Sequence, residues 1–194
     1  SSLCDHHLSY MDAGKTNTTD NLLLEVCMAA KHEGTSLKGY HGKHHVTNPD
    51  SQLCTELARS FADIGDIVRG RDLYLGDNRK DREQRKQLEE YLKKIFAKIH
   101  EDVTSGNKGK MNVNTLKTRY GSDAPEFFKL REDWWYANRQ TVWKAITCEA
   151  GNDSQYFRRT CGSDEKTAIR TPSQCRCSTR VVPTYFDYVP QYLR

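Results

Sequence analysis

The stretch APEFFKLREDWWYANRQTVWKAITC, residues 124–148, decides the fold, because it holds all three tryptophans of the chain. Seven of its residues recur at steps of three and four, the spacing of one face of an α-helix: Phe127, Leu130, Trp134, Ala137, Thr141, Ala145 and Cys148. Trp135, Val142 and Ile146 form a second apolar line beside the first. A helix that is apolar around so much of its girth is buried, which predicts the central helix of a bundle.

Four other helices are predicted to accompany the central one. They run from a cap at Thr19 or Asp20 to Glu33 with Gly34 as the stop, from Asn48-Pro49-Asp50 to Gly70, over residues 81–103 and over residues 112–119. The helix over 81–103 has the clearest apolar stripe, formed by Leu88, Tyr91, Leu92, Ile95, Phe96 and Ile99. No stretch alternates with the two-residue period of a strand. The predicted fold class is therefore mainly α, a helical bundle pinned by disulfides.

The C-terminal residues 181–194, VVPTYFDYVPQYLR, are dense in aromatic side chains. Large aromatic rings contribute much of the buried area of a small core. We therefore expect four of them to seal one end of the bundle: Tyr185, Phe186, Tyr188 and Tyr192.

Length and charge narrow the class of protein. The chain has 194 residues and a net charge of +4, which permits a polyanionic partner without requiring one. No apolar run approaches the roughly 18 residues of a membrane span, and no secretory signal is visible. The start at Ser1 and the ending at Arg194 indicate a part of a longer protein.

Seven cysteines stand at positions 4, 27, 54, 148, 161, 175 and 177. Their spacing does not match the paired CxxC units of a zinc site. Disulfides formed in an oxidising, extracellular compartment are the better interpretation. Because the number is odd, one cysteine is either a free thiol or is bridged to a residue outside this chain.

No arrangement of residues predicts catalysis or a cofactor. Gly14-Lys15-Thr16 matches the end of a phosphate-binding loop, but Ser9 stands where that loop needs a glycine. A metal site at His41, His44 and His45 lacks nearby carboxylates or cysteines, so a solvated loop is favoured. Asp63 and Asp66 are close enough for a paired acid and base, but neighbouring arginines predict ion pairs. The chain is therefore predicted to be a binding module and not an enzyme.

Two basic stretches are candidates for a polyanion site. Residues 79–98 carry eight lysines or arginines against four acidic residues. The first candidate set is Arg79, Lys80, Arg82, Arg85, Lys86, Lys93 and Lys94, and the second is Lys38, Lys43, His44 and His45. An ordinary solvated helix face is the alternative interpretation of the first set. Both sets rest on charge alone.

Four segments resemble one known family. They are LLLEVCMAAKHEG (22–34), LCTELARSFADIGDIVRGRDLYLG (53–76), WW..NR..VWKAITC (134–148) and VPTYFDYVPQYLR (182–194). In this order they are similar to the Duffy-binding-like domain of malaria parasites, and most similar to its alpha class. That class occurs in the var-encoded erythrocyte membrane proteins of Plasmodium falciparum. The resemblance spans nearly the whole chain and is interrupted at 76–115 and 149–180.

The resemblance implies a helical, cysteine-rich domain of three subdomains. Residues 1–17 would be the end of the first subdomain and residues 18–194 the second, with the third absent from this chain. It also implies a bridge from Cys54 to either Cys175 or Cys177, with Cys161 taking the one that remains. Cys27 would pair with Cys148, and the partner of Cys4 would lie before Ser1.

The resemblance further implies adhesion at the surface of the infected erythrocyte, as part of a membrane-anchored protein. Expected partners are red-cell or endothelial ligands, namely heparan sulfate, blood-group sugars or complement receptor one, together with host antibodies. The expected outcome is rosetting or cytoadherence. No nucleic acid, metal or cofactor is expected. The alternative is a structural and antigenic spacer whose receptor contacts lie on neighbouring domains.

Overall fold

The computed structural model describes residues 18–43, 49–105, 113–154, 159–162, 166–179 and 181–194. Five α-helices follow one another in these residues: α1 (Thr18–Lys43), α2 (Pro49–Arg69), α3 (Arg79–Thr104), α4 (Val113–Tyr120) and α5 (Phe128–Ile146). The C-terminal strap, residues 181–194, contains two 3-10 turns, Phe186–Tyr188 and Gln191–Leu193. Extended pairing in the described residues is limited to two isolated bridges. The predicted fold class, mainly α with disulfides, is confirmed.

The central helix is α5, which packs against the other four helices. Its three tryptophans, Trp134, Trp135 and Trp143, are all buried. Phe61 of α2 lies between two of them, with ring centroids 5.1 Å from Trp135 and 5.2 Å from Trp143. The prediction of a buried central helix is confirmed. Ala137, which was expected on the buried face, is exposed because it falls at the edge of the buried sector.

The predicted end of α1 at Gly34 is wrong, because the helix continues to Lys43. Gly34 is instead a buried point of contact between α1 and α5. A methyl group at this position would collide with the backbone carbonyl oxygen of Ile146. The glycine therefore serves a close approach of two helices and not a helix stop.

The aromatic side chains of the strap do not seal the bundle as expected. Tyr185 is 66% exposed and Tyr192 is 75% exposed, and Tyr188 is also partly exposed. Of the four, Phe186 packs against the hydrophobic core. The density of aromatic residues in the sequence could not show that the tyrosine rings are exposed while Phe186 is packed on the core.

The strap is held by a buried carboxylate, that of Asp187, which has no exposed side-chain surface. Trp135 Nε1 donates to it at 2.8 Å, and Arg139 donates to both of its oxygens at 2.7 and 2.8 Å. Arg69 donates to the backbone carbonyl of the same residue. Removing one partner from such a buried charge pair typically costs about 3–5 kcal/mol. This network therefore fixes the strap to α2 and α5.

Two disulfides tie the irregular C-terminal region to the bundle. Cys54 of α2 is bridged to Cys175 with 5.5 Å between their Cα atoms, and Cys161 is bridged to Cys177. This is one of the two arrangements that the family resemblance implied. The first bridge closes a loop across 121 residues, which limits the conformational freedom of the unfolded chain.

The implied bridge between Cys27 and Cys148 is not formed, and both residues are thiols. A disulfide needs Cα atoms within about 7 Å of each other. The close approach of α1 to the end of α5 occurs at Gly34, and Cys27 lies seven residues before it, about 10 Å along the helix axis. Cys148 lies just beyond the end of α5, two residues after Ile146.

Burial raises the pKa of the Cys27 thiol to about 12, so little thiolate forms near neutral pH. Iodoacetamide at about pH 8 is expected to leave Cys27 unmodified in the native chain and to label it once guanidinium chloride unfolds the protein. Peptide mass mapping measures both states. Recovery of a Cys27–Cys148 cross-linked peptide from the native protein would contradict this assignment.

Gly34→Ala is expected to lower the free energy of unfolding by about 1–3 kcal/mol, because its methyl group meets the backbone of α5. Gly39→Ala is the matched control in the same helix, since no heavy atom lies within 4 Å of its added methyl group. The control should leave stability unchanged or raise it by up to about 1 kcal/mol. Urea unfolding measures both variants, and equal effects would exclude the proposed contact.

Candidate binding groove

Four of the predicted basic residues line an open groove of about 480 Å³, here called the α3 groove. They are Arg82, Arg85, Lys86 and Lys93 of α3. The loop of residues 71–77 and the beginning of α5 also line it, and they contribute the large apolar side chains Tyr74, Leu75 and Phe128. Arg79, Lys80 and Lys94 are exposed on α3 but do not line the groove.

Glycines and a helix cap place the loop against α3. Gly70 ends α2 with a φ of 71°, and Gly76 has a φ of 98°, a conformation that favours glycine. A methyl group on Gly76 would lie 2.7 Å from the backbone nitrogen of Arg82, so the loop runs directly over the first turn of α3. Asn78 then caps α3, its side-chain oxygen accepting a hydrogen bond from the Asp81 amide at 2.9 Å.

Asp72 holds the loop in shape through its carboxylate. It accepts hydrogen bonds from the Tyr74 amide at 3.2 Å, from Gln191 of the strap at 3.1 Å and from Arg85. Gln191 in turn accepts a hydrogen bond from the Leu73 amide at 2.7 Å. The guanidinium of Arg85 lies over the ring of Tyr74, 4.8 Å from its centroid. The loop is therefore fixed both to α3 and to the strap.

Arg131 supports the groove from the core, where it is completely buried. Its guanidinium donates to the carbonyls of Val68 at 2.7 Å and Ile67 at 3.1 Å, at the end of α2. It also donates to both oxygens of Glu89 on α3, at 2.7 and 2.9 Å. A bidentate pair of this kind fixes direction as well as distance. Glu89 therefore lines the groove in a set orientation.

Ion pairs reduce the number of unpaired cations in the basic stretch that the sequence predicted as a binding site. Arg85 is paired with Asp72, and Lys93 is paired with Glu126 at 2.8 Å. The hydrogen bond that Lys93 donates to Glu126 raises the pKa of Lys93, so this lysine is charged but already paired. Within the described residues, five cations of the set have no carboxylate at ion-pairing distance: Arg79, Lys80, Arg82, Lys86 and Lys94.

The structure describes only part of the second predicted set of basic residues. Lys38 and Lys43 are exposed near the end of α1, whereas His44 and His45 lie outside the described residues. His41 hydrogen-bonds to Glu56 of α2 at 2.6 Å. In the ranges that the structure describes, no group of three metal-ligating side chains occurs.

The two aspartates considered for acid-base chemistry are ion-paired. Asp66 contacts Arg69 at 3.1 Å, and Arg194 contacts both Asp66 and Asp63. Burial raises the pKa of Asp66, while the hydrogen bond from Arg194 opposes that rise. The predicted ion-pair interpretation agrees with this geometry, although Arg194 is remote in sequence and was not among the expected partners.

Sequence reasoning missed the apolar part of the groove. Leu88 and Tyr91 were expected in the core with the rest of the α3 stripe, but they are 40% and 45% exposed. The buried stripe is shorter, formed by Leu92, Phe96 and Ile99. Leu88 instead lines the groove together with Phe128, which is 49% exposed. One feature of the sequence did indicate that Leu88 is exposed: it lies in the most highly charged part of the helix.

Asp72→Ala is expected to release the loop and to speed hydrogen exchange at the Tyr74 amide by about tenfold or more, because its acceptor is lost. Amides in the core of α5 should keep their protection. Glu83→Ala is the control, since it removes an exposed carboxylate from the start of α3, close in sequence to the loop. Equal exchange at Tyr74 in the wild type and in Asp72→Ala would show that Asp72 does not anchor the loop.

Comparison with known proteins identifies the family. The sequence profile of the Duffy binding domain family matches residues 1–194. The NTS-DBL1(alpha-1) domain of Plasmodium falciparum membrane protein 1 (PfEMP1) from the varO strain is 37% identical, with a TM-score of 0.69. The match covers 98% of this chain and 39% of that one. A search of curated proteins found no match.

Two further PfEMP1 structures are similar to this chain. The NTS-DBL1-alpha and CIDR-gamma double domain of varO PfEMP1 is 36% identical with a TM-score of 0.64, covering 96% of this chain and 24% of that one. A PfEMP1 DBLbeta domain bound to ICAM-1 is 30% identical with a TM-score of 0.58, covering 91% of this chain and 37% of that one. The chain thus spans less than half the length of each of these relatives.

The family that the four sequence segments predicted is therefore confirmed. PfEMP1 domains are exposed on the surface of infected erythrocytes. Among the described helices of this chain, none combines the length and apolar character needed to cross a bilayer. The chain belongs to the Duffy-binding-like domains of PfEMP1, which are adhesion modules and not enzymes.

Proposed function

We propose that this chain is the helical second subdomain, residues 18–194, of an adhesion domain that binds a polyanionic host glycan. Residues 1–17 would end the first subdomain, and the third subdomain would lie outside this chain. The observation that carries the proposal is a ridge of exposed cations along the first turns of α3, here called the α3 ridge. The α3 ridge consists of Arg79, Lys80, Arg82 and Lys86, none of which has an ion-pair partner in the described part of the chain.

Heparan sulfate on red cells or endothelium fits the α3 ridge best among the expected ligands. Its sulfates would form charge-assisted hydrogen bonds with guanidinium and ammonium groups. Such exposed ion pairs are screened within about 10 Å at an ionic strength of 0.1 M, so binding would weaken steeply with salt. The biological setting would be rosetting or cytoadherence, in which many weak contacts act together.

Other ligands use different chemistry. Blood-group sugars are uncharged at their recognised ends or carry few charges, so they would depend less on the α3 ridge. Complement receptor one and the host antibodies are proteins, so they would bind this chain through protein–protein contacts. The competing function is a structural and antigenic spacer, in which the exposed loops are displayed to antibodies and receptor contacts lie on other domains. Heparin binding separates this function from the proposed one.

Arg82→Ser with Lys86→Ser is expected to elute from heparin at clearly lower salt than the wild type, because two ridge cations are removed. Lys94→Ser with Lys98→Ser is the matched control, since it removes two exposed lysines from the same helix but away from the α3 groove. The control should elute close to the wild type. The full chain is applied to the column in a salt gradient.

Two outcomes would contradict the proposal. Equal shifts in both double variants would mean that retention follows net charge alone and that the α3 ridge is not a site. Absence of retention by the wild type would exclude a polyanion site and favour the spacer function.

A further inference from the structure

We propose that the α3 groove beside the ridge docks an acidic, apolar segment of a host protein. A carboxylate of that segment would meet Arg82 and Lys86, and an apolar side chain would pack among Leu75, Leu88 and Phe128. The proposal rests on the proposed function in one respect, that the chain is an adhesion module. It adds a protein ligand class at a surface that shares Arg82 and Lys86 with the α3 ridge.

The apolar part of the groove favours a protein ligand. Leu75 is 75% exposed, Leu88 is 40% exposed and Phe128 is 49% exposed, and all three line the same groove. Covering such side chains removes apolar surface from water, which is favourable. A sulfated glycan has no apolar side chains with which to cover them. A peptide segment with a leucine or an aromatic side chain has them.

The charge pattern of the groove limits the ligand to a few carboxylates. Three acidic residues also line it, Asp72, Glu89 and Glu126, and each is held by a basic partner. These carboxylates would repel a uniformly anionic chain lying along the groove. The two remaining cations, Arg82 and Lys86, are four residues apart and therefore neighbours on the surface of α3.

The groove is shaped before any ligand arrives. Asp72 and Gln191 fix the loop, Gly76 packs it against α3, and Arg131 fixes Glu89 from the core. A surface that is already ordered loses less conformational entropy on binding. Exposed apolar side chains held on such an ordered surface are typical of a protein interaction site. Apolar contact, charge complementarity and order together point to the same occupant.

The test is selection of peptides from a phage-displayed random library with the immobilised full chain. Selected sequences are expected to place Asp or Glu next to Leu, Ile, Phe or Trp. Their binding should fall at least about tenfold in Leu75→Ser with Leu88→Ser, and equally in Arg82→Ser with Lys86→Ser. Lys94→Ser with Lys98→Ser should bind as the wild type does. Both leucines are exposed, so their variant is expected to fold, and circular dichroism is used to check this.

Heparin retention separates this proposal from the glycan site. The double leucine variant should keep its heparin retention while losing the peptides, because sulfate binding uses only the cations. Failure to enrich acidic, apolar peptides would overturn the proposal, whatever the heparin result. Enriched peptides whose binding is unchanged in the leucine variant would overturn it as well, since they would dock elsewhere.

Discussion

The buried guanidinium of Arg131 joins three helices at one point. A charged group in the core is costly unless its donors are satisfied, and here the acceptors are the last carbonyls of α2 and the carboxylate of Glu89. Carbonyls at the end of a helix lack partners within the helix, so Arg131 satisfies them from α5. The direction in which the chain leaves α2 is therefore fixed from the core. The loop after Gly70 and the α3 groove both depend on this direction.

Asp187 has the same role further along the same face of α5, since Trp135 lies one turn after Arg131. Trp135 and Arg139 are four residues apart and so lie on one face of the helix, where both donate to a single carboxylate of the strap. The strap then presents Gln191 to the loop that lines the groove. Two buried charges thus connect the core to the candidate surface, while Tyr185 and Tyr192 of the strap remain exposed.

The periodic spacing of apolar residues predicted the helices because it is a local property of the chain. Gly34 was misread because its role depends on Ile146, more than a hundred residues away. The run of lysines and arginines correctly located a basic surface. It could not show that Lys93 is engaged by Glu126, or that Leu88 faces solvent, since both facts depend on how remote segments pack. Sequence therefore predicted the charges of the surface but not its ion pairs or its apolar strip.

The Cys54–Cys175 bridge has a mechanical consequence when the chain is pulled apart between α1 and the strap. Tension that enters through α1 and leaves through the strap crosses this covalent bond and bypasses the segment between the two cysteines, which stand 121 positions apart. That segment would extend to about 400 Å at roughly 3.4 Å per residue if it were pulled straight. While the disulfide is intact, the backbone of α3, α4 and α5 cannot be pulled out to that length, because the covalent path runs through the bridge. The residues that line the α3 groove all lie within the bridged segment, so the disulfide protects them from this extension, whereas the contact of the loop with Gln191 of the strap is not protected.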